Sequence, residues 1–147
     1  MKESIIITKS SAQTRKLGKV LAETLLKSRL RDKAIVVGLR GDLGGGKTTF
    51  LQGFTKGLGI KEKVLSPTFI IMRRRGNFYH IDAYRLQGTR DLLKLGFKKN
   101  LADPKNVVVV EWADKIKKIM PSHTVWIDFD FVDKNKRKIT IKIKDGR

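Results

Sequence analysis

Apolar residues recur along this chain in two rhythms. Stretches of strand length, alternating or continuous, occur at Ile5 to Ile7, Ala34 to Leu39, Phe69 to Met72, Phe78 to Tyr84 and Val107 to Val110. Two more lie near the end, Thr124 to Val132 and Lys138 to Lys144. Alternation or a short apolar run is the mark of a strand, and four consecutive valines predict one buried on both faces. Helical spacing governs the intervals. Ser10 or Ser11 can cap a helix running to about Arg29, with Leu17, Val20, Leu21, Thr24 and Leu25 on one face. Phe50, Leu51, Phe54 and Leu58 predict a second helix, closed by Gly57 and Gly59. Thr89 to Leu95 predicts a short third, closed by Gly96.

Turn residues punctuate these elements. Gly76-Asn77 is a hairpin signal, and Asp133 to Lys136 joins the last two strands in another. Ser66-Pro67-Thr68 is a polar turn before Phe69, and Pro121 interrupts the chain before Thr124. No repeat, low-complexity segment or linker is present. The pattern predicts one domain over residues 1–147: a three-layer α/β fold with a mixed, mainly parallel central sheet and a C-terminal antiparallel hairpin.

Between the strand ending at Leu39 and the helix beginning near Thr49 lies Gly41-Asp42-Leu43-Gly44-Gly45-Gly46-Lys47-Thr48. This is Gly, four residues, then Gly-Lys-Thr, the pattern of a phosphate-binding loop. Its glycines allow backbone conformations closed to other residues, so the amides can turn inward around phosphate oxygens. Lys47 can reach the terminal phosphates and the Thr48 hydroxyl can hold Mg²⁺. Strand, loop and helix in that order is the context the motif requires.

Composition changes the picture in two respects. The 147 residues are 40% hydrophobic, enough for a core, and include no cysteine, which excludes disulfides, thiolate nucleophiles and cysteine zinc sites. That composition is compatible with a cytoplasmic location, the expectation adopted here. No apolar run approaches a membrane span, and the opening residues are too quickly polar for a signal peptide. The formal charge is +19, from 33 Lys and Arg against 14 Asp and Glu. Such a surface attracts polyanions with strong salt dependence. The lysines are spread over the whole chain, as on a merely solvated surface, whereas Arg73-Arg74-Arg75 is one tight cluster after an apolar strand.

Turnover of a nucleotide needs more than the loop. Glu111 ends the valine run, where open α/β sheets bind ligands, and can hold Mg²⁺ directly or through water. Trp112 beside it can cover the nucleotide, form a partner surface or pack in the core. Tyr79-His80-Ile81-Asp82-Ala83-Tyr84-Arg85 is a second polar cluster. In a strand, His80, Asp82 and Tyr84 share a face. Asp82 can orient water or a metal-bound ligand, and Arg85 can pair with phosphate or carboxylate.

In their order these pieces resemble the TsaE (YjeE) family of bacterial P-loop ATPases. The matching residues are Gly41 to Phe50, Gly53-Phe54, Gly57-Leu58-Gly59, Ser66-Pro67-Thr68-Phe69, Tyr79-His80-Ile81-Asp82 with Tyr84-Arg85, Leu95-Gly96-Phe97 and Glu111-Trp112. Thr14 with Leu17-Gly18 is similar to the family's N-terminal helix signature. The likeness spans nearly the whole chain. It implies a P-loop ATPase that works with TsaD and TsaB proteins in forming threonylcarbamoyladenosine in tRNA; its hydrolysis alone is expected to be slow, because no segment looks like a built-in arginine finger. It also implies ATP and Mg²⁺ as ligands: the loop residues Gly41, Asp42, Leu43, Gly44, Gly45, Gly46, Lys47, Thr48 and Thr49 around the nucleotide, and Thr48 and Glu111 on Mg²⁺. Thr68 belongs, by the same resemblance, to a switch-like segment. Asp82 is needed for hydrolysis, and Trp112, Thr14 and Arg137 lie near the nucleotide. The chain departs from the family at Gly45, commonly Ala; at Ala83, usually Leu; and at Arg73 to Arg75, a stretch often acidic or aromatic.

Two other function classes compete with the ATPase reading. A small-molecule P-loop kinase needs a lid and an acceptor-binding segment, and neither is evident in 147 residues. A nucleotide-regulated RNA-binding module is suggested by the charge, with tRNA contact through Arg73, Arg74 and Arg75.

Overall fold

The computed structural model describes residues 2–27, 31–41, 46–61, 72–84, 86 and 88–144. Asp42, Leu43, Gly44 and Gly45 of the loop, Ser66-Pro67-Thr68, the expected strand residues 69–71, and Arg85 lie outside them.

Seven strands form one sheet: β1 (Lys2–Thr8), β2 (Ile35–Gly41), β3 (Met72–Arg75), β4 (Phe78–Asp82), β5 (Val107–Glu111), β6 (Val125–Phe131) and β7 (Arg137–Ile143). Their order is β1-β7-β6-β2-β5-β4-β3. The four central strands β6, β2, β5 and β4 run parallel, and β1, β7 and β3 are antiparallel to their neighbours. The central valine strand β5 is buried at every position. The expected C-terminal hairpin is β6–β7, with Ile127 opposite Ile141 and Phe129 opposite Ile139.

Helices cover both faces and make three layers. On one face lie α1 (Ser11–Leu26) and α2 (Lys47–Gly57). They cover a core that includes Val37, Leu39, Phe50, Phe54, Val109, Ile127 and Phe129. On the other lie α3 (Arg90–Lys94), α4 (Phe97–Ala102) and a kinked 3₁₀ segment, Ala113–Ile119. Val36, Ile81, Leu92, Phe97, Val110 and Ile116 fill that side.

The first helix corrects the apolar face read from sequence. Val20 is 47% exposed and Thr24 is also exposed. The buried positions are Thr14, Gly18, Leu21 and Ala22, with Leu17 and Leu25 half-buried. Small residues let α2 come so close that a Cβ on Gly18 would strike the Phe50 carbonyl, and one on Gly53 the Arg15 carbonyl. The close seam, rather than the widest aliphatic stripe, sets the helix's rotation. α1 also ends at Leu26, earlier than expected. The arginine cluster differs too: Arg73, Arg74 and Arg75 lie within a strand, the edge strand β3, rather than beyond its end. Charged side chains suit an edge, where they discourage further pairing.

Candidate functional site

Strand β2 ends at Gly41, and α2 begins at Lys47. Gly46 caps the helix with φ 99°, in the left-handed region that favours glycine. The first amides of α2 have no intrahelical acceptor and carry the positive end of the helix dipole, an arrangement suited to an anion. Lys47 is buried, and its Nζ donates to the Gly41 carbonyl at 2.9 Å. The same ammonium lies 4.1 Å from the centre of the Trp112 ring. Thr48, on the same first turn, is exposed.

Parallel pairing brings the carboxylates to this end of the sheet. Glu111 stands opposite Leu39 of β2 and opposite Asp82 of β4. Side chains two apart share a face. Val107 and Val109 pack beneath α1 and α2, so Glu111 emerges on the face that carries the loop helix. It is 6% exposed and its Oε2 meets His80 Nε2 at 2.6 Å, while His80 is 2% exposed. A carboxylate accepts only, so Nε2 carries the hydrogen. Asp82 Oδ1 accepts from the Tyr84 backbone N–H at 2.9 Å. That bond turns the chain out of β4, so Tyr84 does not share the strand face of His80 and Asp82; it is 52% exposed.

Tyr84 instead packs against Trp112, ring centres 4.9 Å apart and planes tilted by 47°, and Lys115 Nζ donates to the Tyr84 carbonyl at 2.5 Å. Trp112 has φ 57°, the only positive φ outside glycine among the described residues. A bulky residue there costs roughly 1–3 kcal/mol, and such strain concentrates at functional sites. Its ring is half-buried against the core of the 3₁₀ face, which is the core-packing alternative, and also lies against Lys47.

A polar cleft of about 90 Å³ opens beside Gly46, lined by Ser10, Thr14, Gly46, Thr49, Asn135 and Arg137 among others. Thr14 is held by Thr8, Oγ1 to Oγ1 2.7 Å. Arg137 Nη1 donates to the Asp133 carbonyl at 2.6 Å and the Lys136 carbonyl at 3.0 Å. The Asp133 carboxyl braces that turn, and the Asn135 N–H, its strongest influence, holds it below the usual carboxylate value. Thr14 and Arg137, far apart in sequence, thus flank the phosphate-loop cap together.

The donor set suits Mg²⁺. Among the described residues no three His, Asp or Glu side chains gather closely enough to hold a metal by themselves. Mg²⁺ keeps waters and phosphate oxygens and takes one or two carboxylates or a hydroxyl from protein. Thr48 and Glu111 supply that chemistry. Arg73 of β3 is the register partner of His80 and so borders this cluster, and all three β3 arginines are exposed; Arg74 donates to the Gly76 carbonyl and lies over Tyr79. Two features escape a reading of the sequence: the His80–Glu111 bond, which depends on strand order, and Lys115, one exposed lysine among many. No helix among the described residues is long and apolar enough to cross a membrane.

Comparison with known proteins bears on this arrangement. The sequence profile of a family described as "Threonylcarbamoyl adenosine biosynthesis protein TsaE" matches residues 8–139. A tRNA threonylcarbamoyladenosine biosynthesis protein TsaE from Treponema pallidum is 33% identical over 138 residues, covering 92% of this chain and 97% of the relative. One of the same name from Bacillus subtilis is 38% identical over 116 residues, covering 76% and 72%. The crystal structure of YdiB from Bacillus subtilis superimposes with a TM-score of 0.73 at 28% identity, covering 97% of this chain and 86% of that one.

Proposed function

The chain belongs to the TsaE family, and on that premise we propose that it binds Mg²⁺·ATP at the Gly41–Thr48 loop and hydrolyses it slowly. As a single domain, it supports tRNA threonylcarbamoyladenosine formation by a complex of TsaD and TsaB type. One observation carries the reading: the loop helix, Lys47 and the Glu111 carboxylate meet at the carboxyl end of parallel strands β2 and β5.

Each residue then has a physical task. The α2 amides and the loop glycines hold the phosphates. Lys47 leaves the Gly41 carbonyl and the Trp112 ring for the terminal phosphates, which bind an ammonium more strongly. Thr48 and Glu111 hold Mg²⁺, which when bound neutralises charge on the phosphate oxygens. Asp82, beside Glu111, orients the attacking water. Thr14, Arg137 and Thr49 line the side of the nucleotide away from the transferred phosphate, and Trp112 covers Lys47. Thr68 contributes a hydroxyl from the switch-like segment.

Slow turnover is expected because no segment of the chain reads as a built-in arginine finger, a group that raises phosphoryl transfer about 10³-fold or more. The basic edge β3, through Arg73, Arg74 and Arg75, is assigned to an anionic partner surface, tRNA first. Nucleotide binding, followed with and without Mg²⁺ by calorimetry, tests the reading. Submicromolar to micromolar ATP affinity that depends on Lys47 supports it; phosphate transfer from ATP to a nucleoside or sugar would replace it with the kinase reading.

A further inference from the structure

We infer that His80 is a positioning residue that holds the Glu111 carboxylate in the orientation a Mg²⁺·nucleotide requires; this rests on the site proposed above. The pair joins neighbouring parallel strands β4 and β5 from within the sheet. His80 Nε2 meets Glu111 Oε2 at 2.6 Å, and both residues are almost wholly buried. A buried carboxylate is costly unless its oxygens are satisfied. One bond to His80 satisfies part of that demand and leaves acceptor capacity for a cation, since a carboxylate offers about four lone-pair sites.

The geometry also restricts rotation. Glu has three side-chain torsions, and a glutamate free to turn loses the near-ideal geometry that Mg²⁺ demands. His80 is poorly placed to act on phosphate itself, because its ring is enclosed. Phe78 lies on the same face at 6.3 Å between ring centres, and Arg73 of β3 is its register partner. Its one evident task is therefore to fix Glu111, as outer partners do for metal ligands elsewhere, where their loss costs about 10–100-fold in metal affinity.

The test is the ratio of ATP affinities in Mg²⁺ and in EDTA, measured by calorimetry on the full chain, for wild type, His80→Leu and His80→Gln. His80→Leu should cut that ratio about tenfold while leaving affinity in EDTA within about twofold. His80→Gln keeps an amide N–H near the Nε2 position and should restore most of it. In a Glu111→Gln background, His80→Leu should have no further effect. A wild-type ratio in His80→Leu overturns the inference, as does failure of His80→Gln to recover it. If His80→Leu does not fold, His80→Asn, whose amide is too short to reach Oε2, takes its place and should show the same loss. Wild-type protein that binds no nucleotide even in EDTA would sink the proposed site itself, a separate result.

Discussion

Lys47 and Arg137 make separable demands on a ligand. If Lys47, in the first turn of α2, holds the terminal phosphates as proposed, Lys47→Ala should cost about 2 kcal/mol, roughly 30-fold in ATP affinity. Arg137 stands across Gly46 from Thr14, over the polar cleft. Arg137→Ala should weaken ATP about tenfold yet leave inorganic tripolyphosphate binding unchanged, because the cleft lies to one side of the loop. Equal losses for both ligands would place Arg137 on the phosphates instead. At this scale the motif residues were readable in advance because each type has a specific chemistry. The contacts were not. Thr14 and Arg137 flank Gly46 together, and His80 meets Glu111, only because the sheet order brings β1 beside β7 and β4 beside β5.

Helix α2 places the loop, and its packing on α1 is unusually close. Gly53 has no room for a methyl group against the Arg15 carbonyl. Gly53→Ala should therefore destabilise the protein by about 3 kcal/mol, measured by urea unfolding, as overpacking does. A loss under about 0.5 kcal/mol would show the seam to be loose. Element reading from sequence succeeded where a pattern was long or extreme: the valines of β5, the strand-loop-helix unit and the β6–β7 hairpin. It missed α4 and the 3₁₀ segment, which bury few side chains each, and misjudged the face of α1, where glycine and alanine do the packing that leucine usually does. Tyr84 was misplaced because a side-chain bond from Asp82 ends β4 two residues early. The edge strand β3 yields its own prediction. Arg73→Glu with Arg75→Glu should weaken tRNA binding and make log Kd less steep against log salt by about 2 for the two arginines lost, with further flattening if the new glutamates repel phosphate. An unchanged slope would assign the charge to a solvated surface.

Across the whole molecule, an excess of positive charge surrounds two neighbouring carboxylates. Two of the 14 carboxylates, Asp82 and Glu111, sit at the carboxyl end of the sheet, the same end as Lys47, the most buried lysine among the described residues. On the proposed reading the general field draws in polyanions, while the two carboxylates and the loop select a metal-bound triphosphate. Family membership connects that selection to threonylcarbamoyladenosine in tRNA. The decisive measurement is ATP hydrolysis by this protein alone, with a TsaD–TsaB heterodimer, and with Lys47→Ala in the same mixture. Slow turnover alone, a clear rise with the heterodimer, and loss of that rise in Lys47→Ala are the expected results. Turnover that ignores the heterodimer, or survives in Lys47→Ala, would contradict the proposed function.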